Sequence, residues 1–347
     1  MAYPVIPGYE INGVLGEGGM GTVYLAVQKS LGRKVAIKIL PPSLAGNESY
    51  LLRFRHEAKA AAKIRHPNIV QIYDAGDYNN VYFFIMEFID GETTGERVAR
   101  KEKLDEQSTL LIAESVAVAL EYAWDHAQLV HRDIKPDNIL IDDDGTAKLS
   151  DLGLAKTMDR MEPGITVGRA MIGSPHYCAP EQAQGEENVD CCADIYALGA
   201  TMYHFLTGEP PFANTPGISA MVKKLTEHLP DVMETNPAVS DNAAWLIEKM
   251  LARDKIMRQQ TWHEVLDDIN EVIHDRPPLS DPAPEGASTM LQSRRRAKSG
   301  IRPARAVRKT GRNQSKDGHE NNNFLLMVIS TVAIITALII IVLTLIS

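Results

Sequence analysis

His131-Arg132-Asp133-Ile134-Lys135-Pro136-Asp137-Asn138 is followed thirteen residues later by Asp151-Leu152-Gly153. Within twenty-one residues the chain sets a candidate proton acceptor (Asp133), a candidate phosphate-binding cation (Lys135) and two candidate magnesium ligands (Asn138 and Asp151). A fold can bury Ile, Leu and Val without placing Asp, Lys, Asn and Asp among them, so packing alone does not account for the set. The arrangement asks for a nucleotide.

Upstream, Gly16-Glu17-Gly18-Gly19-Met20-Gly21-Thr22-Val23 forms a glycine-rich turn between two predicted strands. Glycine lets a backbone approach phosphate oxygens and present N–H groups to them. A plain hairpin with flexible glycines reads the same way, so the run gains weight only from its surroundings. Fifteen residues after Val23 stands Lys38, in Val35-Ala36-Ile37-Lys38, a cation in an apolar strand. Such a lysine ordinarily snorkels to solvent. Here a helical stretch carrying Glu57 follows, and a Lys38–Glu57 pair would hold the ammonium toward α- and β-phosphates.

Around these residues, β-branched runs with glycine-bearing turns from Ile11 to Ile39 predict an antiparallel meander. A helix is expected over about Ser49 to Ile64, closed by Pro67, then strands near Ile69 to Ala75 and Val81 to Phe88. Beyond Gly91 amphipathic spacing predicts helices near Gln107–His126, Ala193–Leu206, Ala243–Leu251 and Trp262–Ile273. A small β-rich lobe before a larger α-rich one is the simplest arrangement. With 347 residues, 44% of them hydrophobic, the chain can bury a substantial core.

Charge divides the chain. Residues 1–280 carry 26 Lys and Arg against 41 Asp and Glu, whereas residues 281–323 carry 10 against 4. No nucleic-acid partner is expected. Cys178, Cys191 and Cys192 show neither CxxC spacing nor a metal-ligand His pair, which points to reduced thiols in a cytosolic domain. Residues 1–8 lack the basic and apolar features of a secretory signal. After Arg276 the prolines, then Arg294-Arg295-Arg296 and scattered Lys and Arg to Lys316, predict a disordered linker over 276–323. Phe324 to Ile346 is a run of 23 uncharged residues, sixteen of them Phe, Leu, Ile or Val. As a helix it would reach about 35 Å at ~1.5 Å per residue, enough for a hydrocarbon core of about 30 Å. Basic residues flank only its N-terminal side, so the preceding domain is expected in the cytoplasm. With Ser347 alone beyond the run, no outer sensor domain is expected.

In order and spacing, the glycine-rich loop, VAIK, a helix glutamate, HRDIKPDN, DLG, Ala179-Pro180-Glu181 and Asp194-Ile195-Tyr196-Ala197-Leu198-Gly199 resemble the eukaryotic-type serine/threonine protein kinases, the membrane-anchored kinases of bacteria among them. The resemblance covers residues 9–275. It implies an α+β bilobal fold, with an N-lobe over about 9–88 and a C-lobe over about 91–275, joined by the linker to one transmembrane helix at 324–346. It implies ATP and Mg2+ as cofactors. Asp133 would accept the proton of the substrate hydroxyl, Lys135 would neutralise the γ-phosphoryl group, Lys38 and Glu57 would align the phosphates, and Asn138 and Asp151 would hold the metal.

By the same resemblance, nucleotide would lie under the loop Leu15, Gly16, Glu17, Gly18, Gly19, Met20, Gly21, Thr22 and Val23. Its adenine would sit between Val23 and Ala36 on one side and Leu140 on the other. Backbone groups of Glu87 and Ile89 would read the adenine edge, with Met86 guarding the back. Thr157, Thr166 and Ser174 fall in the activation segment, where phosphorylated Thr166 would pair with Arg132. Ser174 is expected near Asp133 and Lys135. Glu181 and Arg258 would form an ion pair, and Asp194 would brace the catalytic loop. Departures from the family pattern are Leu152 for Phe, Ala61 for Leu, Cys192 for Arg and Gln259 for Pro. The small Ala61 leaves the helix contact loose, so that activation would call on a second copy or on phosphorylation, and Cys192 and Gln259 put local packing in doubt.

Asp-x-Lys at 133–135 resembles the serine/threonine class, so the expected activity is phosphorylation of protein Ser and Thr hydroxyls, including its own. A pseudokinase scaffold is the main alternative, disfavoured by the complete set Lys38, Glu57, Asp133, Asn138 and Asp151. A small-molecule kinase is disfavoured by the full activation segment. For the basic stretch 294–316 two readings stand: contact with anionic lipid, at up to ~1 kcal/mol per cation, or only topology and solubility. His66 and His131 are read as structural histidines.

Overall fold

The computed structural model describes residues 3–18, 21–41, 61–152, 174–186 and 188–292. The N-terminal lobe is a five-stranded antiparallel sheet of β1 (Tyr9–Gly18), β2 (Gly21–Gln28), β3 (Arg33–Ile39), β4 (Ile72–Tyr78) and β5 (Val81–Glu87). Its spatial order is β1-β2-β3-β5-β4. Asn79 and Asn80, both at positive φ, close the two-residue β4–β5 hairpin, a conformation asparagine tolerates better than most residues.

Strand alternation decides what reaches the site. Val35 and Ile37 pack with Ile6, Ala26, Phe83 and Ile85 on one face. Their neighbours Ala36 and Lys38 therefore point to the opposite face. Across the ladder Val23 pairs with Lys38, and Met86 and Phe84 pair with Ala36 and Lys38, so these five share that second face.

The second lobe opens with β6 (Gly91–Thr93) and α1 (Thr94–Lys101), the latter started by a Thr93–Glu96 capping box. Next come α2 (Glu106–Ala127), a 3-10 turn at Pro136–Asn138, and strands β7 (Ile139–Asp142) and β8 (Ala147–Leu149), which form a small sheet with β6. Then follow α3 (Pro180–Ala183), α4 (Cys191–Thr207), α5 (Gly217–Thr226), α6 (Val232–Thr235), α7 (Asp241–Met250) and α8 (Trp262–Ile273). Fifteen of the seventeen α4 residues are buried, which makes it the central helix around which the lobe packs. The lobes are stitched ahead of β4, where Val70 N–H donates to the Leu149 carbonyl and Leu149 N–H to that of Asn68, both at 2.9 Å.

The four predicted C-lobe helices correspond to α2, α4, α7 and α8 within two residues at each end. Most of the helix expected over 49–64 lies outside the described residues. The linker expected from 276 differs in the structure. Residues 277–292 run as a strap across the helical lobe, with Ala283, Ser288, Thr289 and Met290 buried. Ser288 bridges antiparallel to Ala252, and Met290 bridges parallel to Leu229. Composition misleads here because the strap is held by backbone hydrogen bonds and small side chains, which an apolar pattern does not register. Residues 293–323 and the apolar run 324–346 lie outside the described residues. Among those described, no helix is long and apolar enough to cross a membrane.

Candidate active site

Asp194, in the first turn of α4, anchors the loop that carries Asp133. Its two carboxylate oxygens accept the backbone N–H groups of His131 (2.6 Å) and Arg132 (2.7 Å). Burial pushes the Asp194 carboxyl up, against the pull of His131 and of these two amides. Arg132 takes a left-handed backbone, φ +70°, and residues held in that region cluster at working sites. The buried His131 ring accepts the Asp133 N–H at Nδ1 (3.2 Å) and reaches the Ser150 carbonyl through Nε2 (2.8 Å). It joins the two functional stretches and is structural, as expected. His66 likewise packs, its ring against Tyr122 and its Nδ1 accepting the Asn68 N–H.

The Asp133 carboxylate is nearly buried and held from three sides. Oδ1 accepts the Ser174 N–H (2.9 Å), while Oδ2 faces Lys135 Nζ (3.0 Å) and the Asn138 amide (3.1 Å). Lys135 Nζ also donates to Ser174 Oγ (2.9 Å), and Asn138 Nδ2 to the Asp133 carbonyl (2.6 Å). Asp133, Lys135, Asn138 and Ser174 thus form one connected cluster.

Across the cleft, Asp151 also sits at positive φ, +60°, and Lys38 Nζ meets its Oδ2 at 2.7 Å. Burial would raise the Asp151 carboxyl. The Lys38 ammonium, helped by His131 and Lys135, outweighs it and holds the group below the ordinary carboxylate range. The partner found for Lys38 is therefore Asp151; Glu57 lies outside the described residues. With Oδ2 engaged by Lys38, Asp151 still has Oδ1 to offer a cation.

Between these groups opens a cleft of about 390 Å³. Leu15, Gly16, Val23 and Ala36 form its roof, Leu140 its floor, Met86 its back, and Glu87, Phe88 and Ile89 its hinge side. Lys148 binds Glu87 Oε1 at 2.8 Å and the Gln71 N–H meets Oε2, so the Glu87 side chain is engaged and the hinge presents backbone. Glu17, Gly18, Gly21 and Thr22 continue the β1–β2 hairpin beyond the cleft wall. Gly19 and Met20, and Thr157 and Thr166, lie outside the described residues. Leu152 and Ala61 line a small void behind Met86, with Ile69, Val70, Ile72 and Phe84.

The donor chemistry fits a metal-nucleotide complex. Asn138 and Asp151 supply hard oxygen donors of the kind magnesium takes, beside an apolar slot wide enough for a purine. Asp90, Thr93, Glu96, Asp137 and Ser150 also line the cleft and escaped the sequence reading. The Thr93-x-x-Glu96 spacing, a capping box, could have placed two of them at a helix start on its rim.

Past Ser174 the chain is clamped to the helical lobe. Arg258 Nη1 and Nη2 bind Glu181 Oε1 and Oε2 at 2.7 Å each, both side chains buried. Cys192 and Gln259 are both buried: the Cys192 thiol approaches the Gln259 carbonyl, and the Gln259 amide donates to Asp268 Oδ2 at 2.8 Å, while Gln259 Oε1 meets no hydrogen-bond donor among the described residues. The three cysteines are buried free thiols.

A family profile described as "Protein kinase domain" matches residues 9–269. The chain is 39% identical over 261 residues to the serine/threonine-protein kinase PrkC of Bacillus subtilis, covering 75% of this chain and 40% of PrkC. It is 34% identical over 274 residues to the serine/threonine-protein kinase PknB of Mycobacterium leprae, covering 78% of this chain and 44% of PknB. The chain therefore spans about two fifths of the length of the curated relatives it matches. Among solved structures, the PknI kinase domain of Mycobacterium tuberculosis superposes with a TM-score of 0.62 at 28% identity, covering 77% of this chain and 97% of that one.

Proposed function

The chain belongs to the protein kinase domain family, and on that premise we propose that it transfers the γ-phosphoryl group of ATP, with Mg2+, to Ser and Thr hydroxyls of proteins. The observation that carries this reading is the cluster in which Asp133, Lys135 and Ser174 meet at 2.9–3.0 Å beside the cleft. An acceptor hydroxyl seated at Asp133 would have its proton taken by the carboxylate. Its oxygen would form the new bond to phosphorus as the bond to the β-phosphate oxygen breaks. Lys135 stands where charge gathers on the transferred group, and Lys38 faces the phosphates from the roof side. Magnesium, when bound, supplies charge neutralisation at the phosphate oxygens, held by Asn138 and Asp151. The protein's share is alignment and preset electrostatics, the terms that dominate phosphoryl transfer.

The pseudokinase alternative is not favoured, since Lys38, Asp133, Asn138 and Asp151 are all present and converge. The full chain, incubated with labelled ATP and magnesium beside its Asp133→Asn variant, tests the reading. Transfer by the parent that falls at least about 100-fold in the variant supports it. Nucleotide binding with no transfer by either would overturn it.

Three further parts of the proposal rest on sequence. Residues 324–346 would span a membrane with the kinase domain in the cytoplasm, and release of the full chain by alkaline carbonate washing would refute this. Residues 294–316 would touch anionic lipid, which a cosedimentation assay with phosphatidylserine vesicles checks. Thr166 would be autophosphorylated and pair with Arg132, with a second copy as the phosphorylating partner; an unchanged activation time course in Thr166→Ala would remove that step.

A further inference from the structure

The strap at 277–292 lies beyond the matched family region, which ends at 269. Its contacts converge on one residue of the kinase machinery. Arg258, besides its fork to Glu181, donates Nε to the Ala252 carbonyl (2.7 Å), Nη1 to the Cys192 carbonyl (2.8 Å) and Nη2 to the Arg253 carbonyl (3.1 Å). The 251–253 turn that supplies two of these carbonyls is held on its other side by the strap. Thr289 N–H donates to the Leu251 carbonyl and Arg253 N–H to that of Ala287, both at 2.8 Å.

Two side-chain contacts reach the same place. Thr289, fully buried, meets Tyr196 Oη through Oγ1 at 3.1 Å. The Tyr196 ring carries the Arg258 guanidinium 5.0 Å from its centroid and Lys224 Nζ at 5.6 Å. Lys224, also fully buried, donates to the Cys178 carbonyl at 2.7 Å. From the far side, Ser280 binds both oxygens of Asp268 (2.9 and 2.6 Å), and Asp268 holds Gln259, the neighbour of Arg258. The attachments of segment 174–181 through Cys178 and Glu181 thus run to groups that the strap packs behind, while His176 and Tyr177 tie it separately to Pro211 and His204.

We propose that residues 280–290 are a positioning element for the acceptor side of the kinase site, with Thr289 acting through Tyr196 on the Arg258–Glu181 and Lys224–Cys178 attachments. The element touches neither nucleotide nor acceptor. It fixes the height of the segment that begins at Ser174, whose N–H holds Asp133, and so governs acceptor binding and alignment while leaving the nucleotide cleft alone. Ser288 and Thr289, which fall in the stretch that composition reads as linker, are 1% and 0% exposed and serve as internal hydrogen-bonding groups.

The reading of the reaction rests on the proposed kinase function, so the test carries one readout that needs no activity. In the full chain, Thr289→Val keeps the shape and removes the hydroxyl, Thr289→Ser restores it, and Tyr196→Phe removes the other partner. Amide hydrogen exchange is followed at Tyr177 and Cys178, which donate to the Ser174 carbonyl, and at Ala183, which donates to that of Ala179. Losing one buried hydrogen bond is expected to speed exchange there by on the order of fivefold in Thr289→Val. Hinge amides stay unchanged, Thr289→Ser is near the parent, and the double variant Thr289→Val/Tyr196→Phe is no faster than either single one.

In parallel, peptide KM or kcat changes while the affinity for ATP holds. Equal acceleration across both lobes, or additive effects of the two substitutions, would reduce Thr289 to a general stabiliser and overturn the proposal. So would parental exchange and peptide kinetics in Thr289→Val. A parent that transfers no phosphate refutes the kinase reading by itself, while the exchange result still decides whether the strap positions segment 174–181.

Discussion

Replacing Glu181 by glutamine tests how much of the lobe's stability rests on one buried ion pair. Arg258 is 2% exposed and Glu181 5%, and their two parallel 2.7 Å bonds leave the guanidinium no route to water. Three carbonyls take up the rest of its donors, so the only opposite charge the fork meets among the described residues is Glu181. Glutamine keeps the shape but turns one acceptor into a donor facing another donor, leaving a buried cation uncompensated. Removing one partner of such a pair costs about 3–5 kcal/mol. At about 2–4 °C per kcal/mol for a domain of this size, the loss is on the order of 10 °C in Tm. The exposed Lys34–Asp90 pair, 58% and 66% exposed, provides the control, since such pairs contribute about 0–1 kcal/mol. Thermal unfolding of the parent, Glu181→Gln, Arg258→Met, their double variant and Lys34→Ala separates the cases. Each single substitution at the buried pair should lower Tm steeply and the double by less than the sum, because it removes the stranded charge. A Glu181→Gln shift no larger than that of Lys34→Ala would refute the reasoning.

Gly21, at φ +118°, has no room for a side chain, because an added Cβ would collide with the Ile39 carbonyl. Gly21→Ala should therefore open the β2–β3 ladder beside the glycine-rich loop and weaken ATP binding at least about tenfold, read by calorimetric titration, whereas Gly16→Ala meets open space and should weaken it less. His204, whose Nδ1 faces Tyr177 Oη at 2.8 Å, is held down to about 4 by burial, with the neighbouring His176 adding to it. The folded state refuses a proton that the unfolded chain takes near 6.5, so this contribution is whole above 6.5 and is lost as pH falls toward 4. It is worth at most about 3 kcal/mol, less for the ring's partial exposure. Urea midpoints between pH 7 and 4.5 should fall further for the parent than for His204→Gln, and parallel slopes would assign the acid loss to other groups.

What was legible in the sequence divides by mechanism. Asp133, Lys135, Asn138, Asp151 and Lys38 stood out because each is a polar residue where packing asks for none; in the fold Asn138 and Asp151 line the cleft, Lys38 pairs with Asp151, and Asp133 and Lys135 meet beside Asn138. Strand register was readable as well. Val35-Ala36-Ile37-Lys38 alternates apolar core positions with cleft positions, and the ladder carries Val23 and Met86 onto the cleft face with Ala36 and Lys38. The pairing of Lys38 with Asp151 was less accessible, since it is set by the left-handed turn at Asp151, and a backbone angle at a non-glycine residue leaves no mark in composition.

The strap was misread for a related reason. Pattern reading assigns order where large apolar residues recur, and residues 277–292 carry few. What fixes them is a set of buried main-chain bonds to Leu251, Arg253 and Leu229, together with small hydroxyl side chains that fit beneath α4 and α7. Buried backbone donors and acceptors need partners, at about 1–3 kcal/mol for each one left unmade. The groups the strap satisfies belong to the 251–253 turn and to Leu229, ahead of it in sequence. The requirement for order was therefore written in the helical lobe, in carbonyls and N–H groups that its own helices leave unpaired. A boundary drawn where the apolar periodicity stops, after Ile273, cuts through a hydrogen-bonded layer. The turn that supports Arg258, and through it Glu181, belongs on the same side of that cut as Thr289.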